Sequence, residues 1–369
     1  MKSFTIPFAM LITVFLVTAV HAHSDHDEEA AIQRLDQTKD YHALSQKLTE
    51  QPANIACACE LSRLCLKNGS TSLAKSALSN WWKMKSIPQE ILLLKATILQ
   101  RDHHFTEALE ELVLLINKNP RHAEAWLMKS TIHAICGDYG EAYTSAIPLF
   151  GMTSPVIAST ATANALSLSG KATESYELLL SRLTKQNNAD SSDVRCWAWT
   201  VLAEIAVRLG KNDEAKSHFE EALAADPNNR YTRATFGEFL IDSGDAIAAW
   251  RLIRPAVSGE AETLILALAE KELNKPNRPY SAELKHRFAS GELSGSRSAA
   301  RYFLDIANDP AKAWQIAKSN WDALQREPAD TLLALRAAKA AGADATEIKD
   351  WLSNSGTADV RLSEYSTKN

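Results

Sequence analysis

Residues 197–227 read WAWTVLAEIAVRLGKNDEAKSHFEEALAADP, and the spacing within this stretch decides the fold. Trp199, Leu202, Ala203 and Ala206 recur every three or four residues, which places them on one face of a helix. Gly210 follows that helix, where a left-handed turn needs a residue without a Cβ. Ala215, Phe219 and Ala222 then mark the inner face of a second helix, and Pro227 closes the unit. Small residues stand where two antiparallel helices must approach closely. The stretch is therefore one helical hairpin, whose apolar faces need neighbours.

The neighbours are present. Ala74, Ala108 and Ala142 are spaced 34 residues apart, and so are Ala215 and Ala249. Each follows a polar turn and opens a second helix. Gly69, Gly137, Gly210 and Gly244 stand five residues before their alanines, while Pro88, Pro120, Pro155 and Pro227 close units. A fixed period of this length is the mark of a stacked helical array. One unit departs from it: Gly170 is in place, but Ser175 replaces the alanine.

The pattern resembles the tetratricopeptide repeat family. The unit at 197–227 matches it most fully. A second unit carries Trp126, Gly137 and Ala142, and a third carries Leu92, Ala96, Leu99, Ala108, Leu112 and Pro120. The resemblance covers about Asn54 to Val257. It implies an all-α, right-handed superhelical solenoid of antiparallel helix pairs, with a concave face built from the first helix of each pair.

The expected organisation is a signal peptide at 1–22, a polar His/acidic leader with a capping helix at 23–53, the array at 54–257, and degenerate helical repeats with a carboxy-terminal cap at 258–369. A separate small helical domain is the alternative for the last segment. Lys2, an apolar run from Phe4 to Val20, and small residues up to Ala22 have the layout of a secretory signal, so the mature chain is expected to begin at His23. An uncleaved anchor is the rival, but the run is short for a span and no basic segment follows it. No membrane span is expected after cleavage, and a periplasmic or secreted, bacterial location follows.

Composition constrains the partner. The 369 residues are 46% apolar and carry a net charge of −5; cleavage after Ala22 removes Lys2 and no acidic residue, leaving −6. An acidic chain lacks the basic stripe of a nucleic-acid platform. No nucleophile elbow, zinc-protease helix or phosphate-binding glycine loop occurs, so no enzyme activity, catalytic residue or cofactor is expected. His23 and His26 beside Asp25 offer an alternative role in handling copper or zinc, although histidine tracts without a folded shell hold metals weakly. Cys57, Cys59, Cys65, Cys136 and Cys196 show no zinc spacing and read as small buried residues between helices. His103 and His104 are expected in a solvated turn, and Glu107, Glu110 and Glu111 on a wet helix face. TKQNNADSSD around Asn187 reads as an inserted loop, and TADVRLSEYSTKN at the carboxy terminus as a frayed polar end.

The family resemblance also implies which side chains meet a partner. Groove-facing places of the first helices hold Trp197, Thr200, Glu204, Val207 and Arg208 in one unit. The next unit offers Tyr231, Ala234, Glu238, Ile241 and Asp242. Upstream, Glu90, Leu93, Thr97 and Arg101 hold the same places. Trp197, Thr200, Glu204, Arg208, Tyr231, Glu238, Asp242 and Arg101 are thus the candidate contacts for a protein or peptide partner. Aromatic and acidic groups together suit a segment with basic and apolar side chains. Thr160 stands where the family's chaperone-binding members carry a lysine, although Asn164 is present, so a terminal-carboxylate ligand is not expected.

Overall fold

The computed structural model describes residues 25–185, 190–257, 259–290 and 295–366. Helices account for most of them, and no strand occurs among the described residues. A helix pair opens the chain, α1 (Asp25–Asp36) and α2 (Lys39–Glu50). There follow α3 (Ile55–Asn68), the short α4 (Thr71–Ala77) and α5 (Ser79–Trp82), and then α6 (Gln89–Arg101) and α7 (Phe105–Lys118). The next helices are α8 (Ala123–Cys136), α9 (Tyr139–Ala146), α10 (Pro155–Leu168), α11 (Ala172–Lys185), α12 (Ser192–Arg208) and α13 (Asn212–Ala225). The carboxy-terminal part comprises α14 (Arg230–Asp242), α15 (Ala246–Ile253), α16 (Glu260–Glu272), α17 (Pro279–Ala289), α18 (Arg297–Asp305), α19 (Pro310–Asp322), α20 (Pro328–Ala341) and α21 (Thr346–Ser355). A 3₁₀ tail, Val360–Tyr365, closes the described chain.

The hairpin α12–α13 forms for the reasons its spacing gives. Gly210 takes φ 72° and lets the Lys211 N–H turn back to the Ala206 carbonyl, satisfying the end of α12. Leu202, Ala203, Ala206, Ala215, Phe219 and Ala222 are fully buried. Phe219 bridges to the next unit, stacked on Phe236 with ring centroids 5.0 Å apart and tilted against Phe239 at 5.7 Å. Burying one such side chain contributes about 1.5–3 kcal/mol, far more than the propensity of any short helix supplies. The alanines let helix axes close up, and the large apolar residues tie one unit to the next.

One core cluster runs from Leu127 through Trp197 and Phe219 to Tyr302, Phe303 and Ala337, so α14–α20 are packed continuously onto the array. Their course differs from a simple extension. The chain returns across the concave side. The Arg326 N–H donates to the Ile135 carbonyl at 2.9 Å, and the Tyr139 hydroxyl donates to the Arg326 carbonyl at 3.4 Å. Trp351 of α21 packs edge-on against Tyr139, with centroids 6.3 Å apart, and lies so close to Gly137 that a Cβ there would overlap its ring. Leu324 packs against the amino-terminal core, and Val360 comes against Gly210.

Several expectations change as a result. The terminal segment is expected to fray, but Asp359 and Leu362 are 6% and 2% exposed and the 3₁₀ turn is seated on the carboxy-terminal helices, with Val360 against Gly210; Thr367–Asn369 lie outside the described residues. Asp359 is held by Arg361 of the tail itself and Leu362 is buried among the carboxy-terminal helices, which composition alone does not reveal. His103 is not a solvated turn residue: its ring stacks on Phe105 and Nδ1 is 2.8 Å from Gln325 Nε2. Glu111 is not on a wet face either, because it pairs with Lys95 at 2.7 Å in a half-buried site. The signal at 1–22, His23, the side chain of His26, and Asn187 in the inserted loop lie outside the described residues.

Candidate functional site: a central cavity

The returning carboxy-terminal helices convert the concave face into a cavity of about 360 Å³. One wall comes from the first helices of the array, α8, α10, α12 and α14. The other comes from α18, α20 and the 3₁₀ tail. Exposed Gly210, Asn212, Asp242, Ser243 and Val360 mark where it meets solvent.

Six of the eight candidate residues line it: Trp197, Glu204, Arg208, Tyr231, Glu238 and Asp242. Thr200 does not. It is fully buried, donates to the Cys196 carbonyl at 2.8 Å, and lies 2.7 Å from the Thr232 hydroxyl between adjacent units. Arg101 is also elsewhere. It is 6% exposed and donates to the Leu66 carbonyl at 2.7 Å within the amino-terminal half.

The acidic groups expected to greet a partner are already engaged. Glu204 accepts a hydrogen bond from the Tyr231 hydroxyl. Arg297 Nη2 donates to both oxygens of Glu238, at 2.8 and 3.1 Å, a charge-assisted contact through a single nitrogen. Arg301 pairs with Asp242 and, at 3.3 Å, with Asp305. Arg336 reaches Asp305 at 2.7 Å, and Arg361 holds Asp359 with two bonds of 2.9 and 2.6 Å.

Reading the sequence missed the far wall. Arg297, Arg301, Glu327, Arg336 and Arg361 line the cavity but belong to helices where the repeat phase fades. One local signal existed: Arg297 and Arg301 are four residues apart, so they share a face of α18. Nothing local says that this face meets Glu238 and Asp242.

Desolvation sets the electrostatics. Glu327 is pushed up to about 8 by removal from water and by the neighbouring Asp330 charge. Asp330 rises to about 6 by desolvation, against the pull of Arg297. Glu204 rises for the same primary reason, and Tyr231 is held well above its usual range. Desolvation lowers Arg208, while in Arg297 it is outweighed by Glu238 and Asp330. The cavity therefore sets carboxyls that resist ionisation beside arginines.

The cysteines are unpaired and buried. Burial raises the thiols of Cys59 and Cys196 to about 11 and of Cys65 and Cys136 to about 12, so they resist forming the reactive thiolate. Among the described residues, no group of three or more His, Cys, Asp or Glu is placed to hold a metal ion, and no helix is long and apolar enough to cross a membrane.

A tetratricopeptide repeat family model matches residues 196–229. No curated protein matches the chain. Among solved structures, a tetratricopeptide repeat protein from Parabacteroides merdae aligns at a TM-score of 0.50 with 17% identity, covering 66% of this chain and 99% of that one. Yeast Tom70 aligns at 0.42 with 11% identity, covering 92% of this chain and 79% of its own. The human IFIT1 dimer with PPP-AAAA aligns at 0.44 with 11% identity, covering 98% and 94%. The first of these likenesses concerns the fold alone, an all-α array of helix pairs.

Proposed function

We propose that this protein is an exported, non-enzymatic bacterial scaffold that holds a peptide or protein segment at its central cavity, in the manner of an envelope assembly factor. The observation that supports this reading is the cavity wall. It combines Trp197 and Tyr231 with a ring of fixed charges, and it meets solvent at Gly210, Asn212 and Ser243. Large aromatic surfaces beside oriented charges are the usual anchors of a binding site. Export rests on the layout of residues 1–22, and intact mass of the released chain is expected to begin at His23.

The test places a photo-crosslinking residue at Asn212, on the cavity rim, and at Leu178, an exposed side chain that does not line the cavity. In the native compartment, a discrete adduct is expected from position 212 and not from 178, and Trp197→Ala is expected to weaken it. Equal adducts from both positions, indifferent to Trp197→Ala, would place the binding surface outside the cavity.

A further inference from the structure

The charges in the cavity wall are not equally satisfied. Glu204, Glu238 and Asp242 accept hydrogen bonds from Tyr231, Arg297 and Arg301. Arg301, Arg336 and Arg361 have Asp305 and Asp359 as partners. Arg208 stands apart. It is 6% exposed, its Nε has no acceptor, and its Nη2 reaches only Asn164 Oδ1 at a long 3.4 Å. Among the described residues, no carboxylate comes within ion-pair distance of it; Glu204 and Asp359 act on it only from further away. Arg361, from the tail, faces the same cavity, but its repulsion is smaller than the distant attraction of Glu204 or of its own partner Asp359, so desolvation is what lowers Arg208.

A guanidinium removed from water with one long hydrogen bond and no ion-pair partner is costly. An anionic oxygen group in the cavity would give the Arg208 guanidinium the ion-pair partner it lacks. A cation would meet Glu204, Glu238 and Asp242 already hydrogen-bonded, and Glu327 raised by desolvation toward its neutral form. The cavity thus favours the opposite charge from the basic segment that its sequence led one to expect.

We infer that the cavity is an oxyanion site, in which Arg208 from the array and Arg361 from the tail together receive a phosphate- or carboxylate-class group carried by the ligand. The inference rests on the cavity being the binding place, as proposed above, but not on the ligand being a protein. Trp197, Val201 and Phe219 supply an apolar surface beside the charged pair, so the group is carried on a body with some apolar character. Because Arg361 follows Asp359 in the tail, the site is complete only when the tail is seated.

Calorimetric titration of the mature chain with inorganic phosphate, acetate and chloride tests this without any partner. Saturable binding of phosphate or acetate is expected over chloride, and the stronger of the two identifies the class of group. Arg208→Gln and Arg361→Gln are each expected to weaken it at least about tenfold, the scale set by a charge-assisted hydrogen bond. Arg208→Lys is expected to recover part of the loss, and far-ultraviolet circular dichroism to stay that of the parent. Arg361 lies on the half-exposed tail, so its variant carries the test if Arg208→Gln does not fold. Absence of saturable binding by either oxyanion overturns the inference, as does binding undiminished in the folded variants. A protein adduct from position 212 without oxyanion binding defeats this inference and leaves the scaffold reading standing; oxyanion binding without an adduct does the reverse.

Discussion

At the scale of single residues, Glu327 is the most informative group. It lines the cavity beside Asp330, and desolvation raises both carboxyls, to about 8 and about 6. The folded chain therefore holds protons that the unfolded chain releases near the ordinary carboxylate range. Stability from these groups is fully present below about pH 4 and is lost as pH rises through 6 and on to 8. Melting followed from pH 5 to pH 9 is expected to decline, by an amount on the order of 1 kcal/mol or more in stability. In Glu327→Gln, which stays neutral, the decline is expected to flatten; a profile as steep as the parent's would remove Glu327 as its cause. Ala215 makes a simpler case. It is fully buried between α12 and α13, where no space exists for a larger side chain. Ala215→Trp is expected to cost about 1–3 kcal/mol or more, seen as a lower denaturation midpoint.

At the scale of elements, the seam between the array and the returning helices combines one apolar contact with one ionic ladder. Gly137 serves both the end of α8 and the seat of Trp351. Its φ of 82° strains any residue with a Cβ, and the Trp351 ring occupies the space a Cβ would take. Gly137→Ala is therefore expected to destabilise by about 2 kcal/mol or more, beyond the strain of the turn alone. The double variant with Trp351→Ala separates the two effects. If the seam is responsible, the pair costs less than the sum of its parts; additive costs would show that only the turn matters. In the ladder, Arg297 and Glu238 have side chains 13% and 17% exposed. Arg297→Met strands a half-buried carboxylate and is expected to cost about 3–5 kcal/mol, measured by chemical denaturation. A smaller loss would mean that the seam opens to water and solvates Glu238.

At the scale of the whole molecule, closure changes how a repeat array behaves. In an open solenoid each unit touches only its neighbours, and stability is close to a sum of local terms. Here Arg326 bonds to Ile135, Gln325 to His103, and Val360 rests on Gly210, so residues far apart in sequence are fastened together. Melting of the mature chain is expected as one cooperative transition, with calorimetric and van't Hoff enthalpies in agreement. A chain ending at Gly356 lacks the tail and its buried Leu362. It is expected to melt earlier and to be cut by protease near the cavity mouth, while its array keeps its helicity. An unchanged melting curve would mean that the tail closes nothing.

The sequence by itself determined the helix pairs, their turns and their burial. Trp199, Ala203, Gly210, Ala215 and Pro227 act through helix period, left-handed turns and close packing, all of which are local. It also brought six of the eight candidate residues to one surface, because positions on successive first helices share a face whenever the units stack in phase. What only the tertiary structure decided is that this surface is covered. The small rotation between units, added over many repeats, sets where the later helices pass, and no single residue encodes that sum. Arg297 and Arg301 therefore read as a polar helix face until Glu238 and Asp242 are seen opposite them. Thr200 and Arg101 were misplaced for a related reason: position in a unit says which way a side chain leaves its helix, but the packing of the neighbouring unit decides whether it meets the cavity, Thr232 or the Leu66 carbonyl.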